Sequence, residues 1–385
     1  MAGGKERQSN FEILRIVSMM LIVMSHCDEI FGLFNLYSTS LGTNKIITDW
    51  FHIGGQIGVG CFVLISGYFM VEQKLSTRKI LKLMGEVWFY TIGMWIIWMT
   101  SNLFMGEINV NDCIVETVYA FFPIMFSRYW FVTAYVILLI LSPFLNKFIL
   151  SLDRQSYRSF LACILVIFVV LLGGVPGILQ DMTEGRLLAV LIMYFIAGYI
   201  RRFGAVREGK ASKHFWVAIA FYFLLFLTDY VFTYLGTVLN NQTIMSGRYF
   251  YRSLNSPIVV VICVEMFVGF LKLNVKNNKV VNEIAACTFG VYLLHSNRLM
   301  LRYLVKFFPI YKETSSLLIF TYSVVSMILI YIISTLIDYV RSHTIEKIWL
   351  GFLDKYLIKV QDRITRTVNR ICGFVKKWID KYYEG

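Results

Sequence analysis

The chain has 385 residues, of which 57% are hydrophobic and 16% charged, and a mean hydropathy of +0.64 excludes an ordinary soluble globular fold. Aromatics at 16% and only 5 prolines favour lipid-embedded helices over barrel strands, which would put a polar residue at every second position. The formal net charge of +13 does not point to nucleic acid, because the bases fall between apolar runs and in the C-terminal tail, where membrane topology and anionic headgroups account for them.

The N-terminal residues are polar, and the first apolar run lacks a small-residue cleavage site, so it reads as a retained helix and not a signal peptide. A crossing helix needs about 20 mostly apolar residues at a rise of about 1.5 Å each. That ruler marks spans at 11–31, 51–72, 79–104, 129–150, 158–179, 186–203, 214–236, 256–273, 282–301 and 315–340. The expected fold class is an all-α polytopic transmembrane bundle of about ten spans.

Loop charges orient it. Lys74, Arg78 and Lys79 follow the second span, Lys147, Arg154 and Arg158 the fourth, Arg201, Arg202, Arg207, Lys210 and Lys213 the sixth, and Lys272, Lys276 and Lys279 the eighth. The connections after the first, third and fifth spans are poor in bases, which sets both termini in the cytoplasm. Two outer connections depart from this: 237–255 holds Arg248 and Arg252, and 302–314 holds Arg302, Lys306 and Lys312. Solvated loop faces explain them simply; an outer vestibule for an anionic acceptor is the alternative.

The stretch 107–127 is too polar at its start to span and reads as a short amphipathic helix along the outer interface. From 344 onward apolar residues recur at steps of three and four, from Ile345 to Ile379, with Lys355, Lys359, Arg363, Arg366, Arg370, Lys376 and Lys377 on other faces. This predicts a cytoplasmic amphipathic helix on the lipid surface. The chain thus divides into a membrane domain, 1–340, and a basic interfacial tail, 341–385. The seven cysteines (27, 61, 113, 163, 263, 287 and 372) lie singly, without zinc or redox spacing, and read as small hydrophobes.

Ionisable groups inside spans are expensive, about 2.5–3.5 kcal/mol each at mid-membrane on the insertion scale, and so are functional candidates. They are Glu12, Arg15 and His26 in the first span, Lys82 and Glu86 in the third, Asp229 in the seventh, Glu265 in the eighth and His295 in the ninth. Arg15 and His26 are separated by close to three helical turns, about 16 Å, so both project from one face at different depths. Ser18 and Ser25 lie on or beside that face, and Glu12 is spaced to pair with Arg15.

Alone, Arg15 would be read as snorkelling to cytoplasmic phosphates and a histidine as capping a helix end. The set on one stripe, with His295 in a late span, favours function. Of the five histidines, His26, His52 and His295 fall in the outer half, where neutral imidazole suits a general base. His214 and His343 are expected at the cytoplasmic surface. Small residues from Gly54 to Gly67 imply close helix packing, or room for a thin ligand chain beside His26.

Four motifs in order carry a family resemblance: Arg15-x10-His26; Phe62-Val-Leu-Ile-Ser-Gly-Tyr-Phe69; Arg128-Tyr-Trp-Phe-Val-Thr-Ala-Tyr135 leading to Leu141-Ser-Pro-Phe-Leu-Asn146; and Phe289-Gly-Val-Tyr-Leu-Leu-His-Ser-Asn297. With them the chain resembles the acyltransferase-3 family of bacterial integral-membrane O-acyltransferases. The resemblance implies a multi-pass bacterial plasma-membrane enzyme that moves an acyl group, acetyl above all, from cytoplasmic acyl-CoA to a hydroxyl of a cell-surface carbohydrate. No permanently bound cofactor or metal is expected; acyl-CoA is a co-substrate, and membrane lipids and the carbohydrate are the other partners.

The resemblance implies that Arg15 and His26 are essential: Arg15 to bind donor phosphate or pantetheine, His26 to deprotonate the acceptor or relay the acyl group. Arg78 and Lys79 would grip CoA phosphates, or simply anchor topology. Arg128, Tyr129 and Trp130 would contact the carbohydrate, with His295 and Asn297 shaping the acceptor site and Glu12 supporting Arg15. A non-catalytic glycan exporter is the main rival, but the halves show no matching broken helices. A metal-dependent sugar-phosphate transferase would need a carboxylate pair that Asp153, Asp181 and Glu184 do not make.

Overall fold

Apolar runs become helices wherever the chain is described, which in the computed structural model means residues 8–37, 40–106, 109–171, 186–204, 209–307 and 315–383. In order they are α1 (Ser9–Ile30), α2 (Leu33–Leu36), α3 (Thr43–His52), α4 (Gly54–Met70), α5 (Thr77–Met105), α6 (Val110–Phe121), α7 (Trp130–Ser151) and α8 (Arg154–Ile164), which continues as a π-helix over Leu165–Leu171. Then follow α9 (Arg186–Phe203), α10 (Ala211–Val238), α11 (Gln242–Tyr251), α12 (Pro257–Leu271), α13 (Lys279–Ala286), α14 (Thr288–His295), α15 (Arg298–Phe307), α16 (Ser316–His343) and α17 (Ile345–Tyr383). Among the described residues there is no strand.

Local chemistry sets the ends. The side chains of Asn109, Asp153, Asn241, Asn278 and Ser315 accept backbone N–H groups in the first turns of α6, α8, α11, α13 and α16, relieving donors that a helix start leaves unpaired. α5 stops at Gly106, whose φ of 69° is the left-handed conformation that glycine adopts without a Cβ clash.

Among the described residues, seven helical stretches are long and apolar enough to cross a membrane: those of α1, α3–α4, α5, α7, α8 with its π-helical continuation, α10, and α16 running into α17. Three expected spans fall short for separate reasons. Over 186–203, α9 has the length but carries Arg186, Arg201 and Arg202; α12 has 15 residues; and 282–301 is divided among α13, α14 and α15. The expected 158–179 span starts earlier, at Arg154, and its residues beyond 171 lie outside the described chain, as do Asp181, Glu184, Arg207 and Lys312 and the side chain of Lys306. The amphipathic helix expected in 107–127 is α6, and the expected tail helix is α17.

α1 and α3–α4 form the centre, with 56% and 61% of their apolar windows buried, against 11% for α8 and 17% for α10. Outward-facing Trp216, Ile219 and Phe223 on α10 and Leu329, Ile332 and Leu336 on α16 are exposed, as lipid contact requires. α4 lies directly on α1. A Cβ on Gly58 would overlap the Ser18 carbonyl oxygen, and one on Gly55 would come within 2.6 Å of Ser25 Oγ. The small residues of α4 therefore serve helix approach, beside His26.

The costly charges mostly find partners. Glu86 and Asp338 flank Arg341 at 3.1 and 2.6 Å, Glu346 joins Arg341 to Lys82 at 2.8 and 2.5 Å, and Tyr90 OH donates to Asp338 at 2.7 Å. This network fastens the α16–α17 junction to α5. Glu265 lies 2.7 Å from His214, which is buried and not at the surface; an ionisable pair on facing helices satisfies itself where water is scarce. His343 is exposed, as expected. Asn146 donates to Met70 O at 3.0 Å and accepts from Tyr194 OH at 2.5 Å, tying α7 to the end of α4 and to α9.

Candidate active site

Two cavities open onto the polar face of α1. Arg15 lines the first, of about 680 Å³, with Glu12, Ser66, Gln73, Lys79, Tyr135 and Arg201. A lobe of about 320 Å³ shares Glu12, Arg15, Ser66 and Tyr135 and runs between Phe62, Phe131, Thr288 and Phe289. Both lie in the size range of small-ligand sites, roughly 300–1,000 Å³.

In this cavity Arg15 Nε stands 3.8 Å from Glu12. Lys79 donates to Gln73 Oε1 at 2.6 Å, and Arg201 pairs with Glu72 at 2.6 Å while stacking over Tyr68. Arg15, Lys79 and Arg201 thus face one space from three helices, an arrangement suited to phosphate groups.

His26 lines the second cavity, of about 510 Å³, together with Ser25, His52, Gln56, Trp130, Arg186, Tyr249, Arg252, Asn255 and Tyr292. His26 Nδ1 is 2.9 Å from Nε2 of His295, a residue 269 positions away. His295 Nδ1 lies 2.6 Å from the Val291 carbonyl oxygen. A carbonyl only accepts, so His295 carries its proton on Nδ1, and its Nε2 must accept from His26 Nδ1–H. That assignment leaves the lone pair of neutral His26 on Nε2. Ser296 Oγ sits 3.2 Å from His26 Nδ1 and 3.3 Å from His295 Nε2, adding a hydroxyl to the pair.

The C-terminal end of α14, which carries His295, is held by Tyr129 at the start of α7. Tyr129 OH donates to Leu293 O at 2.8 Å and accepts from Asn297 Nδ2 at 2.7 Å, while Asn297 Oδ1 accepts Leu299 N–H at 2.9 Å. Tyr129 and Asn297 therefore position the dyad from behind and do not line the cavity.

Other sequence candidates separate by place. Trp130 lines the His26 cavity under the Arg186 guanidinium, 4.9 Å from its ring centre. Arg128 lines neither cavity; it is buried against Glu116 at 2.8 Å and stacks on Tyr119, clamping α6 to α7. Arg78 pairs with Asp354 at 2.7 Å at the junction with α17, whereas Lys79 does reach the Arg15 cavity.

Arg201, Tyr135 and Ser66 at one end, and Arg186, Gln56, Asn255 and Ser296 at the other, were missed from sequence. In the sequence Arg201 reads as a topology charge and Arg186 as a span boundary, whereas Ser296 adjoins His295 and is the most recoverable.

One aromatic layer separates the cavities. Phe131 and Phe289 line the lobe near Arg15, Tyr292 lines the His26 cavity, and the Tyr292 ring lies 5.8 Å from Phe131, 6.4 Å from Phe289 and 6.1 Å from His295. A basic, phosphate-ready space and an oriented imidazole therefore sit at two depths of one helix face. Among the described residues, no group of His, Cys, Asp or Glu is arranged to hold a metal ion.

A family model described as an acyltransferase domain matches residues 8–336. No curated protein and no solved structure matches the chain. With its helical membrane-type fold, the chain belongs to the acyltransferase-3 family and is a multi-pass membrane acyltransferase.

Proposed function

We propose that this enzyme moves an acyl group, acetyl above all, from acyl-CoA held in the Arg15 cavity to a hydroxyl of a cell-surface carbohydrate in the His26 cavity. The bilayer is the bacterial plasma membrane, crossed by about ten spans once α9, α12 and α13–α14 are counted with the longer helices. Both termini are cytoplasmic, which turns the Arg15 cavity inward and the His26 cavity outward.

The observation that carries this reading is His26, backed by His295 and lining a cavity about 16 Å along α1 from Arg15. Arg15, with Lys79 and Arg201, holds CoA phosphates. The pantetheine arm lies in the lobe between Phe62, Phe131 and Phe289, and its thioester reaches the histidine side past the Tyr292 layer. His26 Nε2 takes the proton of the acceptor hydroxyl, whose oxygen bonds to the thioester carbonyl carbon. The tetrahedral intermediate collapses with cleavage of the C–S bond, and the leaving thiolate takes the proton from His26. His295 accepts from Nδ1 throughout and stabilises the transient imidazolium.

The test is expression of His26→Ala and Arg15→Ala beside wild type, with mass spectrometry of surface glycans. Ester content should fall to background in both while the protein remains in the membrane. Unchanged ester content in both would end the assignment.

A further inference from the structure

Of the three cations that face the Arg15 cavity, Arg15 stands 3.8 Å from Glu12, beyond hydrogen-bond reach, and Lys79 meets an amide oxygen. Arg201 differs, because a carboxylate lining the same cavity holds it. Glu72 and Arg201 both line that space, and Nε and Nη2 of the guanidinium donate to a single oxygen, Oε2 of Glu72, at 2.9 and 2.6 Å. Such an edge is one that phosphate takes in a forked contact.

The Glu72 side chain is held loosely and its backbone firmly. The side chain is 49% exposed and that of Arg201 26%, so water screens the pair, and exposed pairs of this kind add little stability. Glu72 belongs to the turn after α4, where Gln73 N–H donates to Met70 O at 2.9 Å and Asn146 Nδ2 donates to the same carbonyl at 3.0 Å. Freeing Arg201 therefore takes a side-chain rotation and no movement of the turn. Arg201 stays placed meanwhile, because its guanidinium rests over the Tyr68 ring, 4.9 Å from the centre, a contact that leaves the N–H edge unused. Arg78 and Asp354 form another exposed pair, but neither residue lines the cavity or its lobe.

We propose that Glu72 is a donor-selecting residue, which holds the forked edge of Arg201 in the empty cavity and gives it up to a phosphate of the incoming donor. This rests on the donor reading of the Arg15 cavity and adds to it the residue that the donor displaces. The phosphates of CoA bring more negative charge and more acceptor oxygens than one carboxylate, so they win the exchange, whereas a donor without phosphate leaves the pair intact. CoA released after transfer carries the same phosphates, and the returning carboxylate opposes its retention.

Full-length protein in dodecyl maltoside is titrated calorimetrically with CoA and with pantetheine, which lacks the phosphates. Glu72→Gln, an isosteric change at an exposed side chain, should bind CoA at least threefold more tightly than wild type and pantetheine within twofold. In an Arg201→Gln background the same Glu72→Gln change should move the Kd for CoA by less than twofold, because the edge it competes for is gone. Tightening of less than threefold, equal tightening on pantetheine, or tightening that persists without Arg201 would overturn the proposal. The last result would reduce Glu72 to a general negative charge.

A phospholipid headgroup offers the same phosphate chemistry, so dihexanoyl phosphatidylglycerol is titrated in parallel. Tightening by Glu72→Gln on that lipid and not on CoA would also overturn the proposal. Failure of the wild type to bind CoA at all would remove the donor reading of the cavity and the exchange with it. CoA bound with the same Kd by wild type and Glu72→Gln would remove the exchange alone.

Discussion

Replacing His295 by alanine takes away the acceptor 2.9 Å from His26 Nδ1 without touching the nitrogen that would meet the substrate. In the resting enzyme the loss is one neutral hydrogen bond, net about 0.5–1.5 kcal/mol, together with a polar N–H left to find water. As His26 gains a proton the same bond becomes charge-assisted, and such bonds are worth about 1.5–3 kcal/mol. Because only the difference between the two bonds, about 1–1.5 kcal/mol, is felt in the transition state, the rate falls roughly 5- to 10-fold while donor affinity is kept. His295→Gln presents an amide oxygen in a similar place and should recover most of that loss.

The assay is the initial rate of radiolabelled acetyl incorporation from acetyl-CoA into alkali-labile glycan ester in membrane vesicles, per mole of enzyme. Its KM for acetyl-CoA should stay within about twofold of wild type. A His295→Ala rate within twofold of wild type, or a loss seen wholly in KM, would refute the orienting role.

Tyr292→Ala removes one ring of the layer between the cavities and should raise the rate with butyryl-CoA relative to acetyl-CoA several-fold; an unchanged ratio would place the acyl route elsewhere. Arg78→Ala breaks an exposed pair with Asp354, of the kind worth about 0.2–1 kcal/mol, so KM for acetyl-CoA should stay within twofold. Lys79→Ala, which strips a cation from the Arg15 cavity, should raise it beyond that. Asp49→Ala removes the buried carboxylate that Lys45 and Arg252 share, a loss of about 3–5 kcal/mol that should lower the detergent unfolding midpoint by several degrees. Gly58→Val drives a side chain into the Ser18 carbonyl and should abolish folded yield, whereas Gly93→Val, with nothing within 4 Å of its Cβ, should be tolerated.

Arg15 and His26 were legible because an ionisable group in an apolar run has no cheap explanation, and the same argument marked His295. That the two imidazoles touch was not legible: the contact joins residues 269 apart and depends on how α14 is turned by Tyr129 and Asn297. Charge in a span also misled, since Glu86, Asp229 and Glu265 resolve into ion pairs whose partners lie on other helices. Arg128 looked like an acceptor contact from its interfacial place beside Trp130, yet its charge is met by Glu116 of α6, a residue that the sequence placed only in a generic amphipathic stretch. The division of 282–301 was not legible either, because no Gly or Pro stands at the junction of α13 and α14, where Cys287 sits at an ordinary φ of −84°.

The central claim is a division of labour along one helix, with donor capture at Arg15 and transfer at His26. Acetyl-CoA binding to purified Arg15→Ala and His26→Ala, each paired with its acetyl-transfer rate, tests it most directly. The account predicts that Arg15→Ala loses at least tenfold in acetyl-CoA affinity, while His26→Ala binds acetyl-CoA within twofold of wild type and transfers nothing. Comparable loss of donor binding in both variants, or full donor binding by Arg15→Ala, would contradict it.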